Sequence, residues 1–205
     1  SIDFENASLL AMDYGKELGL KAVAITDHEC LSESVKALQY WEEKYKDSGF
    51  KLILGNEIYL SREGLTLDNY DVMGEKFYHF ILLAKDKEGF HQLRQLSSAA
   101  WKRGFMKNML RVPTYPSDLF EFVKGGHLVC TTACLGGYTA EMWKNYVWNN
   151  KDEQWLAKMD NFCAMIDDLF GHENFYIELQ PSYEPEQIEY NKFMIERYWG
   201  KYNFT

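Results

Sequence analysis

The stretch Lys21-Ala22-Val23-Ala24-Ile25-Thr26-Asp27-His28 places a polar pair directly behind a short apolar run. The β-branched residues in that run are typical of a buried strand. A helical pattern before it ends at Gly19, and a long helix is predicted after it, from about Ser32 to Ser48. Because helix, strand and helix follow one another, the stretch predicts βα units and a mostly parallel sheet.

The same alternation continues along the rest of the chain. Further strands are predicted at 52–59, 78–84, 128–131 and 175–179. Helices are predicted at 87–103, 117–123, 138–148, 152–169 and from about 186 onward. Residues 61–76 are polar and predict a loop or hairpin, and residues 104–116 predict an irregular connection. The chain is therefore predicted to form one α/β domain over residues 1–205.

The composition is that of a folded globular domain. Of 205 residues, 46% are hydrophobic, 16% aromatic and 26% charged, which argues against disorder. No apolar run approaches the roughly 20 residues of a membrane helix, and no signal peptide is visible, so we expect a cytoplasmic protein without a membrane partner. None of the cysteines forms a CxxC pair, which excludes a zinc ribbon, and we expect them to be reduced: Cys30, Cys130, Cys134 and Cys163.

Charge is distributed unevenly along the chain, whose net charge is −9. Residues 151–190 carry a local charge of −8, whereas residues 85–111 carry +5. Because the chain as a whole repels a nucleic-acid backbone, we expect no tight DNA binding by this domain alone. The basic segment leaves open a local contribution to DNA binding or a contact with another domain.

Metal-binding residue types lie at the ends of predicted strands. Asp27 and His28 follow the first strand, Glu57 ends the second, and Cys134 lies just past the strand that ends near Cys130. His79 lies within its own strand. In α/β barrels the carboxyl ends of the strands share one mouth, where the chemistry is built. Imidazole, carboxylate and thiolate together suit divalent transition metals.

Each of these residues also has a structural interpretation. Asp27 and His28 could form a turn that caps the next helix, and His79 could be a hydrogen-bonded core histidine. Glu57 could pair with a lysine, and Cys134 could be a small buried apolar residue. The other histidines are predicted to lie in loops or on the surface: His91, His127 and His172. No P-loop, dinucleotide fingerprint or hydrolase-elbow motif occurs.

Several strings taken together resemble a known family. KELGLKAVAITDH (residues 16–28) and ILGNEIY (53–59) resemble the second and third motifs of PHP (polymerase and histidinol phosphatase) domains. ACLGG (133–137) and FYIELQ (175–180) continue in the same order. The segment from Tyr78 to Phe105 is similar to the PHP domain of bacterial C-family replicative polymerases, the DNA polymerase III alpha subunits. The resemblance covers nearly the whole chain.

The resemblance implies a distorted (β/α)7 barrel, similar to a TIM barrel, with a metal cleft at the carboxyl ends of its strands. The implied cofactors are divalent metal ions, zinc or manganese, with up to three in the cleft. Asp27 is expected to orient the neighbouring histidine or to cap the turn, outside the ligand set. The implied ligands are His28, Glu57, His79, Cys134 and, near the position of an early carboxylate, Asp3.

Two family motifs are missing from the sequence. PHP domains open with His-x-His and close with Asp-x-His, and the chain contains neither pair before His28 or after Glu178. We therefore expect a barrel that is incomplete at both ends, in a chain that is a fragment of a much longer polymerase. If the chain were complete, metal binding would be weak or absent.

The implied activity is metal-assisted phosphoester hydrolysis, which in polymerase PHP domains is a 3′–5′ exonuclease. The parent protein would be a DNA-directed DNA polymerase, a nucleotidyltransferase of DNA replication. Its expected partners are DNA, other domains of its own chain, and replisome proteins such as the clamp or a proofreading subunit. Two alternatives are a free-standing phosphoesterase similar to histidinol phosphatase and a metal-free interaction module with a degenerate cleft. The segment from Tyr78 to Phe105 favours the polymerase, since small phosphatases lack its helix.

Overall fold

One mixed sheet organises the part of the chain that the computed structural model describes, which is residues 7–61, 77–106 and 112–205. Its strands are β1 (Ala22–His28), β2 (Lys51–Ser61), β3 (Phe77–Ala84), β4 (Pro113–Thr114), β5 (Leu128–Thr131), β6 (Phe175–Ile177) and β7 (Asn203–Phe204). Their order is β1-β2-β3-β5-β6-β7, and β4 pairs with β2. The predicted α/β class is confirmed.

Seven α-helices connect the strands within these described ranges. They are α1 (Ala7–Glu17), α2 (Ser34–Lys44), α3 (Lys87–Met106), α4 (Pro116–Phe122), α5 (Tyr138–Trp148), α6 (Gln154–Phe170) and α7 (Pro185–Tyr198). A 3₁₀ turn, His172–Asn174, precedes β6. Among the described helices, none combines the length and the apolar character needed to cross a membrane.

The structure differs from the sequence prediction at several element ends. The first strand continues through Asp27 and His28, because these residues pair with Asn56 and Glu57 of β2. Helix α2 is shorter than predicted and ends at Lys44. The predicted loop at 61–76 lies outside the described residues beyond position 61. Strand β6 ends at Ile177, before the predicted end of the strand.

Strand β3 runs antiparallel to both of its neighbours, β2 and β5, whereas the other strand pairs are parallel. We call the edge at which β1, β2, β5 and β6 end the rim. Because β3 is reversed, it begins at the rim instead of ending there. His79 lies near the start of β3 and is opposite Tyr59 of β2, so the reversal brings a residue from inside a strand to the rim.

Two separate clusters of buried apolar residues support the sheet. The large cluster joins β2, β3, β5 and β6 to helices α3 to α7, and its members include Phe80, Leu82, Phe162, Phe170 and Tyr190. The small cluster joins β1 to helices α1 and α2, and its buried members are Met12, Ile25, Ala37, Tyr45 and Phe50. The first strand of the predicted site therefore rests on a different core from the others.

Candidate metal centre

Strand register places the predicted ligands on one face at the rim. His28 of β1 is opposite Glu57 of β2, and Tyr59 of β2 is opposite His79 of β3. Side chains at paired positions point to the same face of a sheet, and so do residues two apart on one strand. His28, Glu57, Tyr59 and His79 therefore project from the same face.

The Glu57 carboxylate lies between the two imidazoles. Its Oε1 is 2.7 Å from His79 Nδ1, and its Oε2 is 3.6 Å from His28 Nε2. One ligand atom from each of the three side chains lies within 4.8 Å of the others. The side-chain exposures are 16% for Glu57, 27% for His79 and 54% for His28. The group is thus open to solvent on the side of His28.

Cys134 reaches the same group from the turn after β5. Its Sγ lies 3.3 Å from His79 Nδ1 and accepts a hydrogen bond from the Gly136 backbone N–H at 3.3 Å. The Gly136 carbonyl accepts a hydrogen bond from the His79 backbone N–H at 3.1 Å, which ties the turn to β3. A Cβ atom at Gly136 would lie 3.2 Å from His79 Nδ1, and one at Gly137 would lie 2.3 Å from a backbone carbonyl. The turn therefore requires glycine at 137, and a side chain at 136 would press on the His79 ring.

Asp27 points to the opposite face of β1 from His28, because neighbouring strand residues alternate. Its Oδ2 accepts a hydrogen bond from the Glu33 backbone N–H at 3.0 Å, just before α2 begins. Asn56 donates to the backbone carbonyls of Asp27 and Cys30 at 2.8 and 2.6 Å. These contacts shape the loop that follows His28.

Three of the predicted ligands within the described residues form one group, His28, Glu57 and His79, and the fourth, Cys134, lies outside that group but contacts it through His79. The fifth, Asp3, lies outside the described residues. The remaining histidines lie elsewhere in the fold. His127 and His172 pair with Asp86 and Asp167, and His91 lies on the exposed side of α3.

Two rim residues escaped the sequence prediction. The Tyr59 ring packs 5.8 Å from the ring of His28 and 5.0 Å from that of His79, measured between centroids. The Glu178 carboxylate lies one residue past β6 and accepts hydrogen bonds from Thr131 Oγ1 at 2.5 Å and Gln180 Nε2 at 2.7 Å. The available signals were the two-residue spacing between Glu57 and Tyr59 and a carboxylate directly after a strand.

The donor set fits a divalent metal ion. Two atoms bound to one zinc ion at about 2.0–2.3 Å lie no more than about 4.6 Å apart. The 4.8 Å spacing of the group is therefore close to the spacing of three ligands of one ion. Mixed nitrogen, oxygen and sulfur donors suit zinc, and imidazole with carboxylate also suits other transition ions.

Comparison with known proteins identifies the class. The family described as the PHP domain matches residues 11–182, and the chain belongs to that family. The DNA-directed DNA polymerase of Bacillus phage SPbeta is 37% identical over 210 residues, which cover 95% of this chain and 16% of that polymerase. The DNA polymerase III subunit alpha of Aquifex aeolicus is 35% identical over 189 residues, which cover 88% of this chain and 14% of that subunit. The DNA polymerase III subunit alpha of Borreliella burgdorferi is 33% identical over 165 residues, which cover 80% of this chain and 13% of that subunit.

These findings confirm the family resemblance drawn from the sequence and, with it, the PHP fold. The relatives are DNA polymerases, and the matching part is homologous to the PHP domain of the alpha subunits. The chain spans at most 16% of the length of the three relatives described. A His/Glu/His group that could hold a metal ion is present at the rim.

Proposed function

We propose that this chain is the PHP domain of a C-family replicative DNA polymerase and that its rim carries a metal-dependent phosphoesterase of the 3′–5′ exonuclease type. One observation carries the proposal: His28, Glu57 and His79 come from three strands and bring their donor atoms within 4.8 Å of one another. The polymerase relatives supply DNA as the substrate class. Nucleotidyl transfer would then belong to other parts of the parent protein.

His28, Glu57, His79 and Cys134 would hold the metal, with zinc or manganese as the expected ions. A bound divalent ion lowers the pKa of its water and stabilises negative charge on a phosphate. Glu57 orients the His79 imidazole through the 2.7 Å contact and lies 3.6 Å from that of His28. The Gly136 N–H holds the Cys134 sulfur in place, and exposed His28 leaves the solvent side open to a phosphodiester.

The metal-free scaffold is the second candidate, and a specific contact favours it. His79 Nδ1 is already 2.7 Å from Glu57 and 3.3 Å from the Cys134 sulfur. This hydrogen-bonded group is satisfied without an ion, as a structural core would be. The polymerase relatives are compatible with either candidate, because both place the domain within a polymerase.

The test replaces His28 by alanine in the full-length protein that carries this chain. Zinc and manganese are measured by elemental analysis, and hydrolysis is measured with bis(p-nitrophenyl) phosphate and with a 3′-labelled oligonucleotide. We expect metal content to fall and hydrolysis to drop about 100-fold or more, since even outer partners of a metal ligand are worth about 10- to 100-fold.

His172→Ala is the matched control, because His172 is also exposed and paired with a carboxylate but is not part of the His28, Glu57 and His79 group. This control is expected to retain metal and activity. Wild-type protein that is fully folded, free of zinc and manganese, and inactive on both substrates would overturn the phosphoesterase proposal and leave the scaffold.

A further inference from the structure

The exposed side of helix α3 carries a basic stripe in an otherwise acidic chain. Its residues recur at intervals of three or four and therefore share one helix face. The acids of the same segment, Asp86 and Glu88, lie at its beginning, and Asp86 is paired with His127 at 2.8 Å. The stripe, which we call the α3 stripe, consists of Lys87, His91, Arg94, Ser98 and Lys102, all exposed.

A groove of about 430 Å³ lies beside the α3 stripe. Among the described residues that line it, none is acidic. Its lining combines cationic, hydrogen-bonding and aromatic groups, which is the combination that binds the phosphates and stacks the bases of a single nucleic-acid strand. The main lining residues are His91, Arg94, Gln95, Ser98 and Lys102 of α3 and Phe122 of α4.

The α3 stripe leads to the metal centre. Strand β3 ends at the edge of the sheet opposite the rim. Helix α3, which follows it, therefore begins at that opposite edge and runs back toward the rim. Near that end, Trp101 is 51% exposed and donates from Nε1 to the Glu29 carbonyl at 2.8 Å. Glu29 directly follows His28, has a φ of 60°, and donates its backbone N–H to the Glu57 carbonyl at 3.0 Å. An exposed indole is therefore anchored one residue from a candidate ligand.

We propose that the α3 stripe and its groove bind a single polynucleotide strand and direct its 3′ end to the His28, Glu57 and His79 group at the rim. The proposal rests on the proposed function and adds the surface that receives the substrate. From Lys87 to Lys102 the helix rises about 22 Å, enough for about six nucleotides at roughly 3.4 Å each. Two aromatic side chains, Trp101 and Phe122, favour a strand with accessible bases over an acidic protein segment, which would use the charges alone.

Photocrosslinking of the full-length protein in EDTA tests the surface without requiring hydrolysis. The probe is a 16-nucleotide thymidine oligomer with 5-iododeoxyuridine at its 3′ end, and crosslinked peptides are mapped by mass spectrometry. We expect crosslinks at Trp101, the α3 residue that lies beside His28, with a yield about tenfold lower in the Arg94→Gln/Lys102→Gln variant because two phosphate contacts are lost. Lys46→Gln/Lys51→Gln removes the same charge from exposed positions elsewhere and is expected to change nothing.

Kinetics separates this inference from the proposed function. The Arg94→Gln/Lys102→Gln variant is expected to raise KM about tenfold for the oligonucleotide and to leave hydrolysis of bis(p-nitrophenyl) phosphate unchanged. Crosslinks that map away from α3, or an unchanged KM for the oligonucleotide, would overturn the inference. If the protein still hydrolyses both substrates in that case, the proposed function stands. Crosslinks at α3 in a protein without any hydrolysis would support the surface and overturn the phosphoesterase. Protection of α3 by another domain, without DNA crosslinks, would also overturn the inference.

Discussion

The two apolar clusters differ in size and in what they position. The large cluster supports β2, β3 and β5, and therefore Glu57, His79 and the turn that carries Cys134. The small cluster supports β1, which pairs only with β2 among the described strands and contributes His28. Because free energies of opening vary across a structure with the density of buried contacts, the side of His28 should open more readily. The candidate metal centre thus joins residues on a firmly packed core to His28 on a less densely packed one.

Polar contacts between α1 and α2 reinforce the part of the fold that contains the small cluster. The Asp13 carboxylate of α1 accepts hydrogen bonds from Tyr40 at 2.8 Å, Lys44 at 2.9 Å and Tyr45 at 2.5 Å, all of which belong to α2 or its end. Burial alone would raise the pKa of Asp13, but these hydrogen bonds outweigh it and hold the pKa below its ordinary value. The network therefore contributes stability only while the carboxyl group is ionised.

Phe80→Ala should produce the largest loss, because it empties the centre of the large cluster. Phe80 is 1% exposed, and its ring makes edge contacts with Phe162 and Phe170 at 6.1 and 6.2 Å between centroids. We expect the free energy of unfolding to fall by about 4 kcal/mol, measured by urea denaturation of the protein. Phe120→Ala, at a position that is 53% exposed, should change it by no more than about 0.5 kcal/mol.

Met12→Ala should cost less and act locally. Met12 is fully buried in the small cluster, and its truncation should cost about 3 kcal/mol. Hydrogen exchange followed by mass spectrometry should show faster exchange in α1, β1 and α2, with β3 and α6 unchanged. Equal acceleration throughout the sheet would show that the two clusters unfold as one unit and would contradict the comparison.

Asp13→Asn should give the smallest effect and a pH dependence of defined sign. Since the folded-state pKa is lowered, the stabilisation is complete above the unfolded value of about 3.9 and is lost as pH falls through the folded-state pKa. The difference in melting temperature between wild type and variant should therefore be constant near neutral pH and shrink below about pH 4. If the difference in melting temperature stays the same in strong acid, the negative charge of Asp13 does not contribute to the stabilisation. Asp47→Asn, at an exposed position, is the control.

Much of the fold followed from local patterns. Apolar runs predicted the positions of β1, β2, β3 and β5, and Gly19, which has a positive φ, marked the end of α1. The extension of β1 to His28 was not predicted, because it depends on pairing with residues of β2 that are 29 positions further along the chain. The end of α2 likewise depends on tertiary packing: Tyr45 caps the helix with a φ of −126°, and its side chain is buried in the small cluster and donates a hydrogen bond to Asp13.

The sequence determined which residue types stand at strand ends, because an apolar run followed by Asp-His, or one that ends in Glu, is visible in one dimension. Only the tertiary structure decided that β3 is reversed, which carries His79 to the rim and sends α3 back toward it. It also decided that Tyr59 and Glu178 share that rim and that Trp101 is anchored beside His28. Strand direction and the packing of distant segments depend on contacts between residues far apart in the chain, and no local periodicity records them.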